Sequence, residues 1–181
     1  MSRLIAGDGL GWSYLRQGDL ENSKAAIEDS ERYRVEHALP GRQHAFHWFV
    51  HAGLCLAKAE RLNGQERSDW LKKARELCKK ALKSSRSFEA HRPEARRNQG
   101  THEWLKGRQA SARKWWLRSL AAAEEREMRY EAALTHLEMG KRLSDHEHLK
   151  QAEAIFAEIG AEFDLGETRR LLQRLADRNA T

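Results

Sequence analysis

Gly140 is followed by Ala152, Phe156 and Ile159, at steps of twelve, four and three. The same ladder recurs as Gly100, Ala112, Trp116, Ser119 and as Gly11, Ser23, Ile27, Ser30. Two antiparallel helices that pack closely need this arrangement: small residues let the backbones approach, and a large one fills the space between them. Three occurrences in 181 residues predict an array of helical hairpins. Such arrays bind partners more often than they transform them.

Composition agrees with helices. There are only two prolines, 33% of residues are charged, and no alternating β-branched run reads as a strand. Six tryptophans argue against disorder. Cys55 and Cys78 each sit in an apolar helical stripe, as expected of reduced core residues in a cytosolic protein. Asp8 and Arg16 interrupt any apolar leader segment. No run approaches the ~18 apolar residues of a membrane helix. The expectation is a cytoplasmic protein without a membrane partner. Its net charge of +6 is uneven: between Lys83 and Arg118 ten basic residues face three acids.

The chain is expected to form one domain over 1–181, with hairpins over about 2–38, 42–86, 92–126 and 129–160 and a capping helix over 162–177. Gly18-Asp19, Asn63-Gly64, Gly107 and Ser144-Asp145 mark the turns within hairpins. Pro40-Gly41 breaks the chain between hairpins one and two, Ser68-Asp69 is the expected N-cap of the second helix of hairpin two, and Pro93 opens hairpin three. Gly53 to Ala74 exceeds twelve residues, which predicts a longer second hairpin. The last helix carries Leu165, Leu171, Leu172 and Leu175 on one side and is expected to fray from Asp177 onward.

Leu10-Gly11-x-x-Tyr14, Gly18 and Ser23 in the first hairpin, with Gly140, Leu143, Ala152, Phe156 and Ile159 in the fourth, resemble the tetratricopeptide repeat. The resemblance covers nearly the whole chain. It implies an all-α, right-handed solenoid of about four helix-turn-helix repeats with a C-terminal cap. Gly11, Gly53, Gly100 and Gly140 lie 42, 47 and 40 residues apart, longer than the family's ~34, and Arg96 and Glu103 replace large apolar residues in repeat three. A narrower similarity joins Arg129–Leu134, Ala154–Ala161 and Thr168–Leu172 to the C-terminal helical sensor region of large bacterial signalling ATPases and cyclases.

In that family the first helices line a concave groove. The resemblance therefore places Trp12, His47, Val50, Leu54, Lys58, Arg97, Thr101 and Trp104 on a partner-binding face, where aromatics anchor peptides. Asp8 and Trp12 occupy positions where the family's carboxylate clamp would need basic and Asn residues, so that specialised function does not carry over. The expected function is a non-enzymatic module or scaffold that holds a protein or peptide partner and serves in bacterial signalling. Self-association is expected through Leu4, Leu10 and Tyr14 of the first hairpin. The alternative is a nucleic-acid-binding repeat using Arg113, Lys114 and Arg118, with Trp104, Trp115 and Trp116 interleaved.

Other chemistry has little support. His44, His47 and His51 share a helical face, but the outer two stand ~10 Å apart along the axis, too far for one metal. His146 and His148 point to different sides of a turn. The chain carries no nucleophile elbow and no phosphate-cradling Gly-rich loop. No cofactor, metal or catalytic residue is expected.

Overall fold

The computed structural model describes the backbone of residues 2–38 and 45–179 and the side chains of 6–38 and 46–178. Among these residues the chain is all-helical: α1 (Ser2–Arg16), α2 (Leu20–Glu36), α3 (Ala45–Arg61), α4 (Gly64–Ser84), α5 (Arg92–Leu105), α6 (Gln109–Glu124), α7 (Arg129–Leu143), α8 (His146–Glu158) and α9 (Glu162–Asn179). A 3-10 turn, Glu89–His91, precedes α5. The predicted Pro40-Gly41 break and His44 lie outside the described residues. None of the described helices is long and apolar enough to cross a membrane.

The helices pair as α1/α2, α3/α4, α5/α6 and α7/α8, and α9 packs on α8. Local chemistry explains the boundaries. Asp19 caps α2 by accepting from the Asn22 amide at 3.1 Å, and Asp145 caps α8 by accepting from His148 at 3.1 Å. Pro93 stands in the first turn of α5, where its missing N–H leaves no bond unmade. Gly107 turns α5 into α6 with a φ of +77°, open to glycine at no steric cost.

Two expectations are corrected. Ser68-Asp69 does not cap α4, because the chain reverses at Asn63-Gly64 and the helix starts at Gly64. Asp69 lies inside it and accepts from Gln65 at 2.8 Å. The last helix runs to Asn179, two residues past its expected end at Asp177.

The ladder packs as expected in two of its three occurrences. A Cβ on Gly11 would lie 2.8 Å from Ile27, and one on Gly100 would lie 2.4 Å from the Trp116 indole. In each case the large residue is sixteen positions further on. Gly140 instead faces Leu149, nine positions on, at 2.6 Å. Gly140 lies three residues from the end of its helix, whereas Gly11 and Gly100 lie five from theirs. That difference shifts its antiparallel register. Gly53 does not belong to the series: its Cβ would meet Leu15 of α1 at 2.9 Å, so it serves packing between hairpins.

Cys55 and Cys78 are buried in the α3/α4 core, as their apolar stripes predict. Burial pushes the Cys55 thiol up to about 12 and raises Cys78 as well, so neither forms thiolate at neutral pH.

Candidate functional site

The first helix of each hairpin packs on the first helix of the next: α1 on α3, α3 on α5, α5 on α7. Side chains of α1 also reach across to α7 and α9. Trp12 meets Tyr130 edge-on, with ring centroids 6.3 Å apart. Arg16 pairs with Asp164, whose second oxygen accepts from the Tyr130 hydroxyl at 2.9 Å. Arg16 also stands 3.4 Å from Glu167. The inner helices thus enclose a cavity of about 190 Å³ that draws residues from α1, α3, α5, α7 and α9. That volume suits a side chain or chain end; an α-helix, ~10 Å across, is too wide.

The cavity wall is densely charged. Arg97 on α5 donates to Glu131 Oε2 at 2.7 Å and stands 3.7 Å from Glu94. Burial, reinforced by the Glu131 charge, raises the Glu94 carboxyl to about 8 against the pull of Arg97. Glu94 thus holds its proton more readily than an ordinary carboxyl, and an incoming cation would favour its ionised form. The Thr101 hydroxyl donates to Glu138 Oε1 at 2.7 Å, and Arg142 Nε donates to the same oxygen at 2.9 Å. Arg142 continues to Glu60 Oε2 at 2.7 Å, joining α7 to α3. Gly53 and Ala57 floor the cavity between these chains, and Glu167 stands at its rim.

Trp12, Arg97 and Thr101, expected to line a groove, do line this cavity. Five others do not. His47, Val50 and Leu54 are at most 1% exposed and belong to the interior where α3 meets its neighbours. The face of α3 turned to the cavity carries Gly53, Leu56, Ala57 and Glu60, rotated by roughly a third of a turn. Both faces of α3 are apolar, so periodicity alone does not separate them. Lys58 lies elsewhere, donating to Glu21 at 2.7 Å beside Trp70. Trp104, one turn nearer the loop than Thr101, stacks against Trp116 at 5.8 Å.

Sequence reasoning missed Glu60, Glu94, Glu138 and Arg142. The signal was present on α5: Glu94, Asn98 and Thr101 share a helical face with Arg97 by their spacing.

Arg113, Lys114 and Arg118 are exposed on α6, with the Arg118 guanidinium 5.0 Å from the Trp115 ring. Of the residues expected to mediate self-association, Leu10 is 55% exposed and Tyr14 half-buried, while the Leu4 side chain lies outside those described.

The histidines fill structural positions. His47 Nδ1 lies 2.8 Å from Asp8, and its Nε2 lies 3.1 Å from Glu31 without hydrogen-bond alignment. The His47 and His51 rings stand 5.7 Å apart, and burial lowers His51 to about 4. His148 meets His136 at 2.9 Å across the α7/α8 hairpin, and burial, reinforced by His148, lowers His136 to about 4. Among the described residues no group of three His, Cys, Asp or Glu side chains is placed to hold a metal ion.

No protein-family model matches the chain, and comparison with curated proteins and with solved structures gives no match, so what this site binds is argued from its own geometry.

Proposed function

We propose that the chain is a non-enzymatic interaction module, built as a tetratricopeptide-like solenoid of four hairpins with a C-terminal cap. Its inner cavity receives a basic side chain or the end of a partner polypeptide. The solenoid reading is supported by the hairpin order, the first-helix-to-first-helix contacts and the Gly11/Ile27 and Gly100/Trp116 approaches. The observation that carries the functional reading is Glu94. A carboxyl that keeps its proton more readily than usual beside Arg97 is a receptor for a group that can donate to it or charge it.

Most of the remaining wall charges are committed to one another, Arg97 to Glu131, Arg142 to Glu138 and Glu60, and Arg16 to Asp164, while Lys141 stands exposed in the lining. A preformed wall of this kind loses little conformational freedom when a partner enters. On this reading the ligand is a protein or peptide in the cytoplasm, and the module serves a bacterial regulator, in keeping with the sequence resemblance of its last third to sensor regions. Exposed Leu10 makes the first hairpin the surface for a second copy.

Ala57→Leu tests the reading, because it fills the cavity without removing a charge. Nuclease-treated pull-downs with wild type and variant, at equal helicity by circular dichroism, should show a discrete protein partner lost from the variant. A partner retained equally by both, or partners that disappear with nuclease, overturns it.

A further inference from the structure

A different face of α5, carrying Gln99, His102 and Glu103, looks across to α4 and down to the α5–α6 turn. Between them lies a pocket of about 390 Å³, within the range that holds small ligands. Lys72, Arg75 and Lys79 enter it from one stripe of α4, and Lys106 and Arg108 enter from the turn. Five cations from two separate segments thus converge on a space whose lining holds a single carboxylate, Glu103.

That carboxylate is already engaged. Glu103 is 7% exposed and accepts from Arg108 at 3.2 Å and from Gln99 at 3.0 Å. Lys72 and Lys79 have only solvent-exposed partners on their own helix, Asp69 at 3.4 Å and Glu76 at 2.9 Å. Among the described residues, no carboxylate lies within ion-pair distance of Arg75 or Lys106. A second observation concerns His102, which lines the same pocket and is 4% exposed. Its Nδ1 has no hydrogen-bond partner; the nearest carboxylate oxygen, on Glu103, is 3.5 Å away. Buried beside five cations and one carboxylate, this ring gains a proton only when further negative charge enters the pocket.

We propose that this pocket binds the phosphoryl group of a small anionic ligand, with Arg75, Lys79 and Lys106 as its charge partners, the Ser68 hydroxyl as a donor, and His102 as a buried group whose charge responds to the ligand. A phosphoryl group offers three acceptor oxygens, enough to meet donors from two segments at once, and the Arg75 fork suits two of them. Burial lowers the His102 imidazole, opposed by Glu103, so the ring is neutral at neutral pH while the pocket is empty. Lys72, Arg75, Lys79, Lys106 and Arg108 surround it, and Lys106 adds to the lowering. A phosphoryl dianion reverses that balance, so binding takes up a proton.

The test is calorimetric titration of the full chain with inorganic pyrophosphate at pH 7 and low salt. The expected result is saturable one-site binding, weakened at least about tenfold in Arg75→Ala/Lys79→Ala and unchanged in Arg113→Ala/Lys114→Ala, which removes equal charge elsewhere. His102→Gln, with retained helicity, should still bind pyrophosphate while losing the proton uptake that makes the measured heat depend on buffer. Absence of saturable binding, or equal weakening by the two double variants, overturns the proposal. So does an RNA oligonucleotide that binds wild type and Arg75→Ala/Lys79→Ala alike while pyrophosphate does not bind; a general basic surface then replaces the pocket.

Discussion

The hairpin interiors and the inner face join the same helices with opposite materials. Between α5 and α6 the contact is Gly100 against a fully buried Trp116, with Ala112 and Leu120 beside it. Between α5 and α7 it is Arg97 on Glu131 and Thr101 on Glu138. The first kind of contact gains from apolar burial and fails when shape is lost. The second gives up solvation for Coulomb attraction, a near balance that fixes geometry more than it stabilises. The hairpins are therefore built to hold the fold, and the inner face is built to present charge.

The comparison breaks most visibly at Trp116. Trp116→Ala should destabilise by about 3–5 kcal/mol in a denaturant titration, since the cavity opens among apolar side chains. A loss under about 1 kcal/mol would mean that α5 and α6 are not held by this contact. On the inner face, Arg142→Met leaves Glu138 unpaired while Glu60 turns to solvent, and should cost about 2–4 kcal/mol. Adding Glu138→Met should recover most of that loss, because an apolar pair replaces a buried ionic one. A double variant as unstable as the single would show that the inner charges carry the fold.

A smaller effect sharpens the hairpin side. In an open helix Gly→Ala would gain about 0.5–1 kcal/mol. At Gly100 the added methyl meets the Trp116 indole at 2.4 Å, and a ring buried on all sides does not yield. The clash wins, so Gly100→Ala should destabilise by about 1–3 kcal/mol. Trp116 Nε1 is also buried without a partner. In a Trp116→Phe background, which is smaller and removes that donor, the Gly100→Ala loss should shrink measurably in a double-mutant cycle.

The same division governs what was legible in the sequence. Turns were readable because Gly18, Gly107 and Gly160 adopt left-handed φ values that few other residues tolerate. Hairpin contacts were readable where a small residue faces a large one at fixed separation, as at Gly11 and Gly100. They were misread at Gly140, where the distance to the helix end differs and nothing in local composition marks it. The inner face was legible on α5, where Arg97 and Thr101 label it with polarity. It was not legible on α3, where Leu54 and Leu56 look alike in sequence and only packing sends one to the core and the other to the cavity. The partnership of Arg142 with Glu60, 82 residues apart, is set by how α3 and α7 approach one another, which no local pattern encodes.

Acid and base should separate the two regions. His51 and His136 belong to the hairpin side, and burial lowers both to about 4 from an ordinary 6.5. Between those values the unfolded chain binds protons that the folded chain refuses, so stability is lost as pH falls from about 6.5 to 4. Glu94 belongs to the inner face and is raised to about 8 from an ordinary 4.5. There the folded chain keeps a proton that the unfolded chain has released, so stability declines as pH rises from about 4.5 to 8. The two effects oppose one another between about pH 4.5 and 6.5, where two histidines outweigh one carboxyl, so wild-type stability should peak near the upper end of that range, with each group moving it by on the order of 1 kcal/mol after solvent screening. Glu94→Gln should remove the decline from about pH 6.5 to 8, and His136→Gln should soften the rise from about pH 4 to 6.5, in denaturant midpoints measured from pH 4 to 9. If the decline above pH 6.5 persists in Glu94→Gln, the cavity carboxyl is ionised in the folded protein, and the cation-receiving reading of the inner face fails with it.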